Sequence, residues 1–192
     1  EMKNKSRLLA AALVCALVLT GCGPQRTEPG PEPEGTAAEP VAYVPLDDRP
    51  DNVERVEYLA ESLGYALAMP ERDWYRTALD GQPLNENGTQ CGNMGRLYEW
   101  VLEQEAAGCD RYILSLDQML SGGLVNSRCA TAEMITMPDG REAPAAQALE
   151  ELLAALAEDP DNVVWLLDSV MRLAPTVGYA GGTLEEYNWI RD

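Results

Sequence analysis

The chain has 192 residues, of which 32 are acidic and 14 basic, contains no histidine, and carries a net charge of −18 at pH 7. That charge argues against nucleic acid as a partner, because such binding depends on neutralising phosphates with Lys and Arg, and against adhesion to anionic lipid. Without histidine the chain excludes Ser-His-Asp and Cys-His catalysis and histidine-ligated metals.

Residues 3–7 (KNKSR) are basic, and Leu8 to Thr20 is an unbroken apolar run ending at Gly21-Cys22. This is the pattern of a secretory signal peptide over residues 1–21, too short to span a bilayer. The tetrapeptide Leu19-Thr20-Gly21-Cys22 resembles the lipobox of bacterial lipoproteins. The resemblance implies a diacylglyceryl group on the Cys22 sulfur and cleavage before it. Two or more acyl chains, palmitate among them, suffice for stable anchoring. The expected location is therefore the outer face of a bacterial cell membrane, with the acyl anchor as the membrane contact.

Residues 22–40 form a Pro-, Glu- and Gly-rich tether with no large apolar side chain and nothing from which to build a core. Removing Glu1, Lys3, Lys5 and Arg7 with the signal leaves 11 basic and 31 acidic residues, a net charge of about −20. Cys91, Cys109 and Cys129 then remain. Three is an odd number, and no spacing among them suggests zinc.

From residue 41 onward the pattern is α/β. Val41–Leu46 reads as a strand, and Pro50 opens a helix with Val53, Val56, Leu59, Ala60 and Leu63 on one face, stopped at Gly64. Tyr65–Met69 is a second strand, and residues 71–92 are a long irregular connection of the kind that often carries function. Asn93 caps a helix with Met94, Leu97, Tyr98, Val101 and Leu102 on its inner face. Arg111–Leu116 is a third strand, leading through Asp117 to a Ser121-Gly122-Gly123 turn. Ala143–Ala157 is an amphipathic helix, Asn162–Leu167 a fourth strand, and Thr183 caps a last helix with Glu185 and Glu186 in its first turn. That helix is still running at Asp192, which reads as part of a longer protein. Short continuous apolar runs alternating with helical pattern predict parallel βαβ units, as an open doubly wound sheet or as the first half of a (β/α)8 barrel. Trp100 and Trp165 fall on core-like faces, whereas Trp74 in the long connection is placed to stack on a sugar ring.

Ligand sites in parallel α/β folds lie outside the carboxyl ends of the strands. Asp47, Asp48 and Arg49 follow strand one, Glu71 and Arg72 follow strand two, Asp117 follows strand three, and Asp168, with Arg172 beyond it, follows strand four. Acids gathered on one rim must share protons, hold a cation or pair with arginine. Each also has an ordinary reading: Asp48-Arg49 as a helix cap and ion pair, Asp117 as a turn cap, the two glycines as a tight connection, Arg128 and Arg172 as structural partners.

The segments YVPLDDRP (43–50), SLDQMLSGGLVNSR (115–128), DSVMRLAPT (168–176) and LEEYNWIRD (184–192) resemble, in this order, the uncharacterised bacterial family called domain of unknown function 4127. The resemblance implies Asp47, Asp48, Arg49, Asp117, Gly122, Gly123, Arg128 and Arg172 as motif positions, in proteins considerably longer than this chain. It supplies no reaction.

Three functions follow from these residues. The first is an extracytoplasmic hydrolase of glycan or carbohydrate, with Asp47 or Asp48 working with Asp117 as the catalytic carboxyl pair and with Arg49, Gly122, Gly123, Arg128 and Arg172 binding substrate. The second is a lipid-anchored receptor for a small molecule or glycan, gripped by the arginines without catalysis. The third is a hydrolase in which Asp47, Asp48 and Asp117 hold Mg²⁺ or Ca²⁺, the one cofactor class the sequence leaves open.

Overall fold

The computed structural model describes residues 38–128, 133–137, 139–170 and 176–192. The signal and tether expected from sequence lie outside them through residue 37, with Cys22, as do Cys129 and Arg172. The chain runs through β1 (Glu39–Val44), α1 (Glu54–Ser62), β2 (Tyr65–Ala68), α2 (Met94–Ala106) and β3 (Arg111–Ser115). It continues through α3 (Leu116–Ser121), β4 (Met134–Thr136), β5 (Glu142–Pro144), α4 (Ala145–Leu156), β6 (Val163–Leu167) and α5 (Leu184–Arg191).

Four strands make one sheet in the order β2-β1-β3-β6, every neighbouring pair parallel. The order decides between the two architectures the sequence allows. In a barrel β2 would lie between β1 and β3; here β1 lies between β2 and β3, so the sheet is the open, doubly wound kind. Right-handed crossovers then send α1 to one face and α2 and α4 to the other. Ala42, Val44, Tyr112, Leu114 and Val164 share the second face by the period of two and the register, and there they meet Met94, Leu97, Tyr98, Val101, Leu149 and Leu152. Burying a side chain of this size contributes roughly 1.5–3 kcal/mol. Tyr98 is fully buried and its hydroxyl donates to Met119 O and Ala145 O, tying α2 to α3 and α4.

The helix boundaries follow local chemistry. Asn93 Oδ1 accepts the Arg96 N–H at 3.2 Å, starting α2, and Thr183 forms a reciprocal capping box with Glu186 at the start of α5. Gly64 and Gly108, both in the left-handed region, end α1 and α2.

The opposite face of the sheet departs from expectation. Leu59 of α1 and Leu63 just past its end are exposed, and Trp165 is 50% exposed beside an equally open Leu167; in α2, Trp100 is buried as its core-like position implies, whereas Leu102 is exposed. Register explains Trp165: it pairs with Ile113, one residue out of phase with the face that α2 and α4 cover. Three elements, α3, β4 and β5, are absent from the sequence reading. Helix α3 begins directly at the end of β3, with no side-chain hydrogen bond from its N-cap Ser115, and β4 and β5 form a small antiparallel pair too short to carry a periodicity.

Candidate functional site

A strand order that reverses beside β1 opens a crevice at the carboxyl ends of β1 and β3, the topological switch point where doubly wound sheets hold ligands. The first wall is the loop after β1. Asp47 is 6% exposed, and its Oδ1 accepts the backbone N–H of Arg49 at 3.1 Å and Asn52 Nδ2 at 2.6 Å. Its Oδ2 takes Arg49 Nε at 2.8 Å and Nη2 at 2.7 Å. The first of these bonds is the local Asx turn that an aspartate favours; Arg49 Nε adds a charge-assisted bond, and Nη2 an ion pair to the same oxygen. The same loop continues into helical turns at Pro50, with Arg55 N–H reaching Pro50 O. Asp48 turns to another segment, and its Oδ2 is held by Arg72 Nε at 3.2 Å and Nη2 at 2.7 Å. Hydrogen bonding to these carboxylates raises the pKa of Arg49 and of Arg72. Beneath them the Tyr43 hydroxyl donates to Asn52 O, and burial, then the Asp47 charge, pushes this phenol up to about 12.

The second wall is built after β3. Gln118, fully buried in α3, donates from Nε2 to Leu46 O at 3.0 Å and to Tyr75 O at 2.8 Å. One amide thus staples the loops after β1 and β2 to α3, across the switch point. Asp117 is 4% exposed and accepts two hydroxyls, Ser127 Oγ at 2.7 Å on Oδ1 and Ser169 Oγ at 2.8 Å on Oδ2. It joins the ends of β3 and β6 to the turn at Asn126–Arg128.

Gly122 and Gly123 both have positive φ, and the space beside Gly122 is already filled. A Cβ there would meet Gly92 O at 2.8 Å and Cys91 Cβ at 3.1 Å, while Gly92 N–H donates to Gly122 O at 2.7 Å. The close approach Gly122 permits is to the chain's own 91–92 segment, whereas a Cβ on Gly123 would meet Thr77 Oγ1 at 3.0 Å and Gln118 Nε2 at 3.3 Å.

Between the walls lies a cleft of about 580 Å³, lined by Asp47, Asp48, Arg49, Arg72, Arg76, Thr77, Gln82, Leu124, Val125, Arg128 and Thr176 among others. Of the residues singled out from sequence, Asp47, Asp48, Arg49, Arg72 and Arg128 converge here, and Glu71 does not. Asp117, Gly122 and Gly123 stand behind the lining, and Arg172 is outside the described residues. Asp168 is exposed, and its Oδ1 accepts the neighbouring Ser169 N–H. Trp74, for which stacking on a sugar ring is one alternative from sequence, packs against the core and carries the Arg96 guanidinium 4.7 Å from its ring centre. Among the described residues no three acid or thiol side chains gather as a metal ion would require, and Cys91 and Cys109 are free thiols.

The sequence pattern of the family described as protein of unknown function (DUF4127) matches residues 41–189. The chain belongs to that family. No curated protein and no solved structure matches it. In this DUF4127 chain the PLDDRP block forms the first wall and the SLDQMLSGGLVNSR block the second, so segments 65 residues and more apart in sequence become neighbours through two parallel crossovers. Sequence reasoning left out Gln118, Arg76, Thr77 and Gln82. Arg72 carried a signal, its place directly after β2; Gln118 carried only its place inside a motif block. Nothing in their local sequence marks the other three.

Proposed function

We propose that this protein is a lipid-anchored surface receptor that binds an anionic small molecule or acidic glycan in the switch-point cleft, tethered through the acyl group on Cys22. The observation that carries the reading is the concentration of arginine. In a chain with only 14 basic residues and a net charge of −18, Arg49, Arg72, Arg76 and Arg128 line one cleft. Arg49 and Arg72 turn Nε and Nη2 to their carboxylates, which orients both guanidinium planes, and among the described residues neither Nη1 has a partner. Preorganised planar donors favour carboxylate or phosphate over a neutral hydroxyl.

A second reading, hydrolysis in the same cleft, is favoured by Asp48. Its Oδ2 is held by Arg72, and its Oδ1 accepts no hydrogen bond from the described residues, as a general base poised for water requires. A glycosidase carboxyl pair with Asp117 has less support, since both oxygens of Asp117 are occupied by serine hydroxyls behind the lining.

Calorimetry on the full chain with glucuronate, succinate and glucose tests the proposal. The two anions are expected to bind, more weakly as salt rises, and at least about tenfold more weakly to Arg72→Gln, the range for losing one charge-assisted fork. Equal affinity for glucose and glucuronate, or no anion binding, overturns it. Turnover of an acidic glycan that disappears in Asp48→Asn while binding persists selects the hydrolase.

A further inference from the structure

We propose that the arginine-lined cleft continues into a second subsite for an uncharged sugar ring, so that the ligand is a glycan in which an acidic residue adjoins a neutral one. The inference rests on the anion-binding reading above. A second depression, of about 460 Å³, shares Val125, Arg128 and Thr176 with the arginine-lined cleft. The two therefore meet across Arg128. Past it the character of the wall changes to Tyr179, Trp189 and Ile190, with Glu186 as its carboxylate.

Trp189 is 82% exposed, an open indole on a wall otherwise continuous with a charged groove. An aromatic ring offers a large, rigid apolar face at small cost in side-chain entropy, and the C–H face of a pyranose is the complementary surface. The loop that leads into α5 is tied down. Asp80 N–H donates to Gly178 O at 2.7 Å, Gly181 N–H donates to Asp80 Oδ2 at 3.2 Å, and the capping box of Thr183 and Glu186 fixes the start of α5.

Glu186 sets the charge of the ring. Its carboxylate accepts the Thr183 backbone N–H at 3.0 Å and hydroxyl at 3.1 Å, which lowers its pKa and keeps it ionised at neutral pH. A second acidic sugar at this end meets like charge, while a neutral or N-acetylated one does not.

The test is calorimetry on the full chain in detergent, with four probes: glucuronate, the glucuronosyl-N-acetylglucosamine disaccharide, digalacturonate and diacetylchitobiose. The mixed disaccharide is expected to bind about tenfold more tightly than glucuronate, the scale of one aromatic contact, and digalacturonate to gain much less. Trp189→Ala should remove most of that gain and change glucuronate affinity far less, and Trp189→Phe should restore part of it. A gain that survives Trp189→Ala, with glucuronate still bound, overturns the second subsite and leaves the anion reading standing. Diacetylchitobiose binding that needs Trp189 but ignores Arg72→Gln overturns the anion reading and with it the mixed ligand, retaining only the aromatic platform. No binding of any probe overturns both.

Discussion

The loops leaving β1 and β3 stand side by side at the switch point, and each places an aspartate within three residues of its strand. They use it in opposite ways. After β1, Asp47 and Asp48 take arginines whose outer edges remain in water, and the pairs line the cleft. After β3, Asp117 is sealed between Ser127 and Ser169 and holds the scaffold together. The same residue type at the same kind of position becomes a surface for a ligand or a fastening, according to what distant segments bring to it. An arginine brings charge that reaches outward; a serine hydroxyl is spent on the aspartate.

The largest expected effect breaks the fastening. Asp117→Ala should cost about 2–3 kcal/mol in urea unfolding, because two hydroxyls lose a charged acceptor, and Asp117→Asn should recover part of that. Glucuronate affinity that vanishes in a fully folded Asp117→Asn protein would dissolve the contrast and return Asp117 to the site.

Arg49→Ala comes next, at about 1–2 kcal/mol. Asp47 is buried, but its partner is 61% exposed, so water screens and partly replaces the lost fork. The same variant should weaken anion binding several-fold, and Arg49→Lys, a point charge without the fork, should fall between. A purely structural Arg49 would change stability and leave affinity alone.

The smallest effect at neutral pH sharpens the account of the floor beneath the first loop. Tyr43→Phe should cost about 1 kcal/mol for its hydrogen bond to Asn52 O. In the wild type the Tyr43 phenol is raised from 10.0 to about 12, so the unfolded chain ionises first while the native state keeps its proton. Its contribution is complete below pH 10 and is lost as pH rises from 10 toward 12. Other buried tyrosines, Tyr98 and Tyr112, are also shifted upward. The difference between wild type and Tyr43→Phe across that window isolates Tyr43, and an unchanged difference would show that its proton is not held by the fold.

Much of this was legible before any coordinates. The four strands of the main sheet, Asn93 as the cap of α2, and the Thr183 cap of α5 follow from local rules, because continuous apolar runs and capping side chains act within a few residues of themselves. Leu59, Leu63 and Trp165 show where those rules stop. Periodicity marks a face as apolar without naming what covers it, and these three are largely open. Asp48 shows the same limit at the site. A helix cap and a partnership with Arg49 were both open, and its partner is Arg72, 24 residues away on the next strand's loop.

The chain's order of residues determined by itself that this is an acidic α/β protein without histidine, with parallel strands whose carboxyl ends carry acids and arginines. Those properties depend on composition and on interactions short along the chain. Only the tertiary structure decided that β1 lies between β2 and β3, that Gln118 bridges the two loops there, and that Arg72, Arg76 and Arg128 share a cleft with Asp47 and Asp48 while Asp117 does not. Strand order and side-chain partnership are set by which distant surfaces bury each other, and that free energy is written across the whole chain.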